Sequence, residues 1–186
     1  MLDEISGALD DVRGGAGRIV FVTGEAGMGK TAVAREAVRL ARARRMDVAW
    51  GACLDADLAS PFAPWMEILG PEGAAAVAEA GASLSAGVDP HAAEWRRSLA
   101  FHAVVGQLRS RAAASGLLVV LEDLHWAGTP SQLLVRYVAA HLGAMGRVVL
   151  LGTFRDAELD PAAPLAALTT GVERLALGGL GDEAVA

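Results

Sequence analysis

Cys53 is the only cysteine in the sequence. One cysteine excludes a disulfide framework or a cysteine metal cluster within a single chain, and it fits a reducing compartment. A positive balance of charge is also missing. Lys and Arg number 16 against 22 Asp and Glu, for a formal net charge of −6. No global basic field therefore draws this chain to nucleic acid or anionic lipid. Long apolar runs are absent as well: stretches such as LLVVL (117–121) fall far short of the roughly 20 residues that span a bilayer. The N-terminus carries Asp3, Glu4, Asp10 and Asp11 rather than a positive start before an apolar core, which is not the pattern of a signal peptide. The expectation is a soluble, cytoplasmic protein with no membrane partner.

What is present is enough apolar material for one ordinary domain, with 53% hydrophobic residues in a chain of 186. Five β-rich runs recur: RIVFVT (18–23), DVAWGA (47–52), LLVVLED (117–123), RVVLLGT (147–153) and VERLAL (172–177). The first, third and fourth are continuously apolar, as parallel strands covered on both faces are. Helical periodicity fills the intervals. Over 31–45, Val33, Ala37, Leu40, Ala41 and Arg44 form one stripe, and Arg42, Arg44 and Arg45 complement the negative end of the helix dipole. Residues 94–114 read as a long amphipathic helix. Residues 129–142 open with a capping-box pattern, Thr129 as N-cap, Pro130 first in the helix and Gln132 as partner. Residues 70–90, rich in Ala, Gly and Ser, read as a marginal helix in a mobile excursion, and GGLGDEAVA at 178–186 as the start of a further helix. This alternation predicts an α/β doubly wound, mostly parallel five-stranded sheet, 1–186 forming one domain cut from a longer protein.

The stretch GEAGMGKT (24–31) satisfies G-x-x-x-x-G-K-S/T, with an apolar strand before it and an amphipathic helix after. Gly24, Glu25, Ala26, Gly27, Met28 and Gly29 would turn backbone N–H groups inward as an anion nest, and Lys30, Thr31 and Ala32 open the helix behind it. Lys30 would reach the β- and γ-phosphates, and the Thr31 hydroxyl would ligate Mg²⁺. A phosphate loop of ATP or ADP is the reading.

Hydrolysis also needs a carboxylate at a neighbouring strand end. Glu122 and Asp123 follow five apolar residues, where unpaired charge would be costly without a metal opposite Thr31. By position Glu122 would hold Mg²⁺, directly or through water, and Asp123 would orient or deprotonate the attacking water; the reverse assignment stays open as the lesser reading. Thr153 and Arg155 end the fourth strand, where ligands collect in parallel sheets. Arg155 would sense the γ-phosphate or stabilise transferring charge, or else pair with Asp156 or Glu158. Trp126 is expected as a packing anchor, and His125 as a packed, hydrogen-bonded histidine or a sensor of the phosphate site. His91, His102 and His141 show no metal-ligand spacing.

Taken with VAWGACLDADLASPFAPWMEIL, LEDLHWA and TFRD, the phosphate loop makes the chain resemble the ATPase domain of LuxR-type regulators and related STAND-class, AAA-like P-loop NTPases, over roughly residues 2–180. The resemblance implies that the Glu122–Asp123 strand lies between the second strand and the neighbour of the phosphate-loop strand. It also implies a bacterial signalling or transcriptional switch. By the same resemblance ADP would hold a resting form, ATP would favour an open, often self-associating one, and a C-terminal lid would follow the core. Two departures stand out. Gly128 replaces the aspartate that usually continues HWAD, and the Gly-Arg-acidic segment usual upstream is not seen before MLDEI. Those departures keep a nucleotide-binding scaffold without turnover as the alternative. A small-molecule kinase ranks lower, because residues 70–90 contain no Arg or Lys. Direct nucleic-acid binding is not expected, since no helix-turn-helix signature or basic face is seen.

Overall fold

Val119 and Leu121 pack into one hydrophobic core while Leu118 and Val120, between and before them, pack into another. Side chains alternate across a strand, so a continuously apolar run must be buried on both faces. The computed structural model describes residues 1–54, 61–85 and 89–177. The expected start of a helix at 178–186 lies outside them.

Along the chain run α1 (Leu2–Arg13), β1 (Arg18–Thr23), α2 (Lys30–Ala43), β2 (Asp47–Ala52), α3 (Ala63–Ile68), α4 (Pro71–Ser85), α5 (Pro90–Ser115), β3 (Leu117–Glu122), α6 (Thr129–Met145), β4 (Val148–Phe154), α7 (Pro164–Thr169) and β5 (Glu173–Ala176). Short 3₁₀ turns at Leu124–Trp126 and Asp156–Glu158 follow β3 and β4. The strands form a five-stranded sheet in the order β2-β3-β4-β1-β5, with every pairing parallel. β3 thus lies between β2 and β4, and β4 is the neighbour of β1, as expected. Residues from α1 and α2 bury against Val20, Val22, Val149 and Leu151 on one face. Those from α3 to α7 bury against Phe21, Leu150 and Phe154 on the other. The doubly wound α/β fold is the one the sequence predicts.

The N-terminal segment drew no structural expectation, and two expectations elsewhere, the α2 stripe and the capping box, need correction. The N-terminal segment is a helix: Ile5, Leu9 and Val12 share one buried stripe, which carries the acidic residues on the outer side. In α2 the buried stripe is Ala34, Ala37 and Ala41, with Val33 and Leu40 only partly buried beside it. Small side chains let the helix lie close to the sheet. Arg44 is not part of that stripe. It caps the helix end, donating to the Leu40 carbonyl at 3.2 Å and to Asp10 of α1 at 2.8 Å.

The capping box at 129–132 does not form. Gly128 is the N-cap and Thr129 is already helical, without a side-chain cap. Gln132 is instead a buried tie between distant segments, donating to Ala127 O at 2.8 Å and accepting from Leu165 N at 3.1 Å. Residues 71–85 are helical, in α4.

Candidate functional site

β1 ends at Thr23 and α2 begins at Lys30, so the glycine loop bridges a strand end and a helix N-terminus. Gly27 and Gly29 take φ of 78° and 90°, and Gly24 takes 149°, conformations that side chains with a Cβ rarely adopt. Gly29 is the N-cap of α2 and supplies no side-chain cap, leaving the helix's first N–H groups directed at the loop. Lys30 is 7% exposed. Its Nζ folds back on the loop, donating to Gly24 O at 2.7 Å and Glu25 O at 2.9 Å.

A cleft of about 300 Å³ is lined by Ala26, Gly27, Gly29, Lys30, Thr31, Asp123 and Arg155. Residues from three separate motifs therefore meet there. Gly24, Glu25, Met28, Ala32 and Glu122 belong to the same loop and strand ends but do not line the cleft. A larger cleft of about 410 Å³ lies between α5 and α6, lined by Arg97, Phe101 and Tyr137 among others. It contains no phosphate loop and no expected site residue, so the smaller one is the better candidate.

Glu122 is the last residue of β3, and Asp123 leaves the sheet with a φ of 53°. That left-handed turn is one that Asp tolerates better than most residues. The Asp123 N–H donates to the buried Thr153 hydroxyl at 3.0 Å, and Asp123 lines the cleft. Glu122 Oε1 is buried without any partner. Thr31 and Asp123 line the cleft, and their oxygens, with those of Glu122 at the adjoining strand end, are hard donors of the kind Mg²⁺ takes. The orphaned Glu122 oxygen fits such an ion.

Arg155 lies just past β4. Its Nη1 donates to Glu158 Oε1, and its guanidinium stands 5.5 Å from the Trp126 ring centroid. Arg155 thus lines the cleft and makes the salt bridge at once, with its Nε buried and unpartnered. Trp126 is partly buried against the core, and its face supports Arg155. His125 is packed but not hydrogen-bonded, which corrects the sequence expectation. Its side chain is 0% exposed, with Nδ1 4.0 Å from Asp123 Oδ1 and Nε2 3.4 Å from Glu158 Oε2. Burial lowers its pKa, which Asp123 and Glu158 partly offset.

Among the described residues, the buried side-chain polar atoms with no partner are Thr23 Oγ1, Glu122 Oε1, both ring nitrogens of His125 and Arg155 Nε. Each belongs to a residue at or just beyond the C-terminal end of β1, β3 or β4. Unsatisfied buried groups are costly and native folds carry few, so their concentration at one edge marks a site built to receive polar partners. Thr23 was not singled out by sequence reasoning. Its signal was its place, a hydroxyl ending an apolar strand before the glycine loop.

The protein-family profile described as AAA ATPase domain matches residues 1–151. Comparison with curated proteins returns no match. Among solved structures, the replication initiator DnaA bound to AMPPCP and single-stranded DNA is similar at 17% identity and a TM-score of 0.54, over 94% of this chain and 44% of its own. AMPPCP-bound DnaA from Aquifex aeolicus gives 16% and 0.51, over 95% and 44%. The Aeropyrum pernix ORC1 protein in complex with DNA gives 20% and 0.50, over 95% and 44%. At these identities the likeness is one of fold, and the chain spans less than half the length of those structures. Two of them contain DNA, so the expectation of no nucleic-acid contact gains no support. No helix among the described residues is long and apolar enough to cross a membrane. With the profile covering most of the chain, and with the loop and strand ends arranged as described, this protein belongs to the AAA ATPase domain family.

Proposed function

We propose that residues 1–186 are the ATP-binding switch domain of a larger bacterial signalling or transcriptional regulator of the LuxR-type, STAND class, acting in the cytoplasm with slow Mg²⁺-dependent hydrolysis. The observation that carries this reading is the gathering of Lys30, Thr31, Asp123 and Arg155 around one cleft at the strand ends. The loop from Gly24 to Gly29, with Lys30, Thr31 and Ala32, would cradle the phosphates of ATP or ADP. Its free amides and the α2 N-terminus supply the complementary partial charge.

Thr31, Glu122 and Asp123 would hold Mg²⁺, which neutralises phosphate charge when bound. Asp123, partly exposed at the cleft, would orient an attacking water or take its proton, and Glu122, with its buried orphan oxygen, would be the ion's carboxylate, the reverse assignment staying open. Arg155 would meet the charge of the terminal phosphate. Occupancy of the cleft by ATP rather than ADP would favour self-association.

A nucleotide-binding scaffold without turnover is the second reading, and the engagement of Arg155 by Glu158 favours it. Calorimetry with Mg-ATP and Mg-ADP on wild type and Lys30→Ala tests binding. Phosphate release from wild type and Asp123→Asn then separates the two readings. Release no faster than in Lys30→Ala would remove the hydrolytic role.

A further inference from the structure

Arg155 is a cation at the phosphate cleft that is only partly satisfied. One Nη1 reaches Glu158, Nε is buried without a partner, and the guanidinium rests on the Trp126 face. A structural arginine at such a place would be expected to use its planar fork on a carboxylate in two parallel bonds. Glu158 offers one oxygen to Arg155 and keeps the other, Oε2, 3.4 Å from His125 Nε2. That histidine is fully covered, and both of its ring nitrogens lack partners.

We propose that Glu158 sets the domain's discrimination between nucleoside triphosphate and diphosphate, by holding Arg155 until a terminal phosphate displaces it. The inference rests on the nucleotide reading of the cleft. A diphosphate has no terminal group to compete for Arg155, so the ion pair survives its binding. A triphosphate brings a more highly charged, multi-oxygen acceptor, and Arg155 exchanges one anion for another. The released carboxylate of Glu158 is half-exposed and meets water, and the His125 ring, 3.4 Å away, donates its Nε2–H to it as well. No proton changes hands. Before the exchange there is an Arg155–Glu158 pair and an idle histidine; after it, an Arg155–phosphate pair and a His125–Glu158 bond. Glu158 and His125 are positioning residues in this scheme, acting through Arg155 and touching no nucleotide.

The test is calorimetry on the full chain with Mg-ADP and with the non-hydrolysable triphosphate Mg-AMPPCP. Glu158→Gln, at a half-exposed position, keeps the shape and removes the charge. We expect AMPPCP to bind about tenfold tighter to this variant and ADP to change by less than about twofold. The gain should vanish in Glu158→Gln/Arg155→Ala. His125→Gln, which keeps a donor at the ε position, should bind AMPPCP as wild type does, while His125→Leu should weaken AMPPCP and spare ADP. Equal tightening of both nucleotides, no tightening, or a gain that survives loss of Arg155 would overturn the role of Glu158. An AMPPCP affinity unchanged in His125→Leu would overturn the exchange. If wild type bound neither nucleotide, the nucleotide reading itself would fall, an outcome distinct from binding with an unaltered ratio.

Discussion

The main-chain N–H of Asp123 is held by the hydroxyl of Thr153 at 3.0 Å. The β3–β4 ladder runs only to Leu121 and Gly152, so this bond ties the two chain segments just beyond their last paired residues. It also fixes the point where Asp123 turns into the left-handed region at the edge of the cleft. Thr153→Val keeps the shape and removes the acceptor, leaving a part-buried amide unpaired. We expect a loss of about 1–3 kcal/mol in urea unfolding, with Thr153→Ser close to wild type. A valine variant as stable as wild type would show that the bond contributes nothing.

Lys30 offers a sharper separation of stability from binding. Its ammonium is nearly buried and is satisfied by two loop carbonyls, one of them on the exposed Glu25. Lys30→Ala removes a desolvated charge together with its hydrogen bonds, and the two effects oppose each other. Stability should shift by no more than about 1 kcal/mol, whereas charge-assisted contacts worth roughly 1.5–3 kcal/mol each would be lost to the phosphates. Nucleotide affinity should therefore fall by about a hundredfold with the melting temperature nearly unchanged. A large fall in melting temperature would instead assign Lys30 a structural role.

Much of this was legible in the residues because the signals were local. The 18–23 and 47–52 runs coincide with β1 and β2, the 117–123 run overshoots β3 by one residue, and the 147–153 run is shifted by one residue at both ends of β4. Five apolar residues ahead of Glu122 were enough to place carboxylates at a strand end. What escaped depended on distant partners. Gln132 looked like a local cap, but its bonds go to Ala127 and to Leu165, and nothing in the 129–132 stretch names the latter. His125 looked like an ordinary packed histidine; its orphaned nitrogens follow from how the turns after β3 and β4 meet, which no spacing encodes. The helix α1 was a different kind of miss. Ile5, Leu9 and Val12 carry a helical stripe in plain view among the acidic residues.

Gly128 takes on a definite physical meaning in the structure. It is the N-cap of α6, with φ −62° and ψ 156°, and no side chain caps the helix. An aspartate there would reach the free amides of the first turn and complement the helix dipole. An added Cβ meets only Pro130 Cδ at 3.8 Å, an ordinary contact. Gly128→Asp should raise stability by a few tenths to about 1 kcal/mol. Its rate of phosphate release should match that of wild type. A marked rise in turnover would mean that the carboxylate serves the site rather than the helix.

Gly51 tests how closely α3 must approach the sheet. A Cβ on this β2 residue would stand 2.1 Å from the Pro64 carbonyl oxygen, a backbone atom that cannot swing aside. Gly51→Ala should cost at least the roughly 1–3 kcal/mol typical of overpacking. Thermal melting would check this, and a variant within about 0.5 kcal/mol of wild type would show that α3 shifts freely.

Cys53 directly follows β2, with 3% of its surface exposed. Burial pushes its thiol up from an ordinary 9.0 to about 12, with the Asp123 and Glu67 carboxylates adding to the shift. At pH 8 the folded protein should react with a thiol reagent only as fast as it opens, because the nucleophile is the thiolate. The same shift fixes the sign of a pH effect on folding. The neutral thiol is favoured in the folded state, so its contribution is whole below pH 9.0 and is lost as pH rises toward about 12. Each pH unit in that window removes up to about 1.4 kcal/mol. Cys53→Ala cannot titrate, and its cavity cost does not vary with pH. The stability advantage of wild type over Cys53→Ala, read from urea midpoints, should therefore shrink by about 1.4 kcal/mol between pH 8 and pH 10. A constant difference across that range would mean that the thiol ionises in the folded protein as readily as in the unfolded chain.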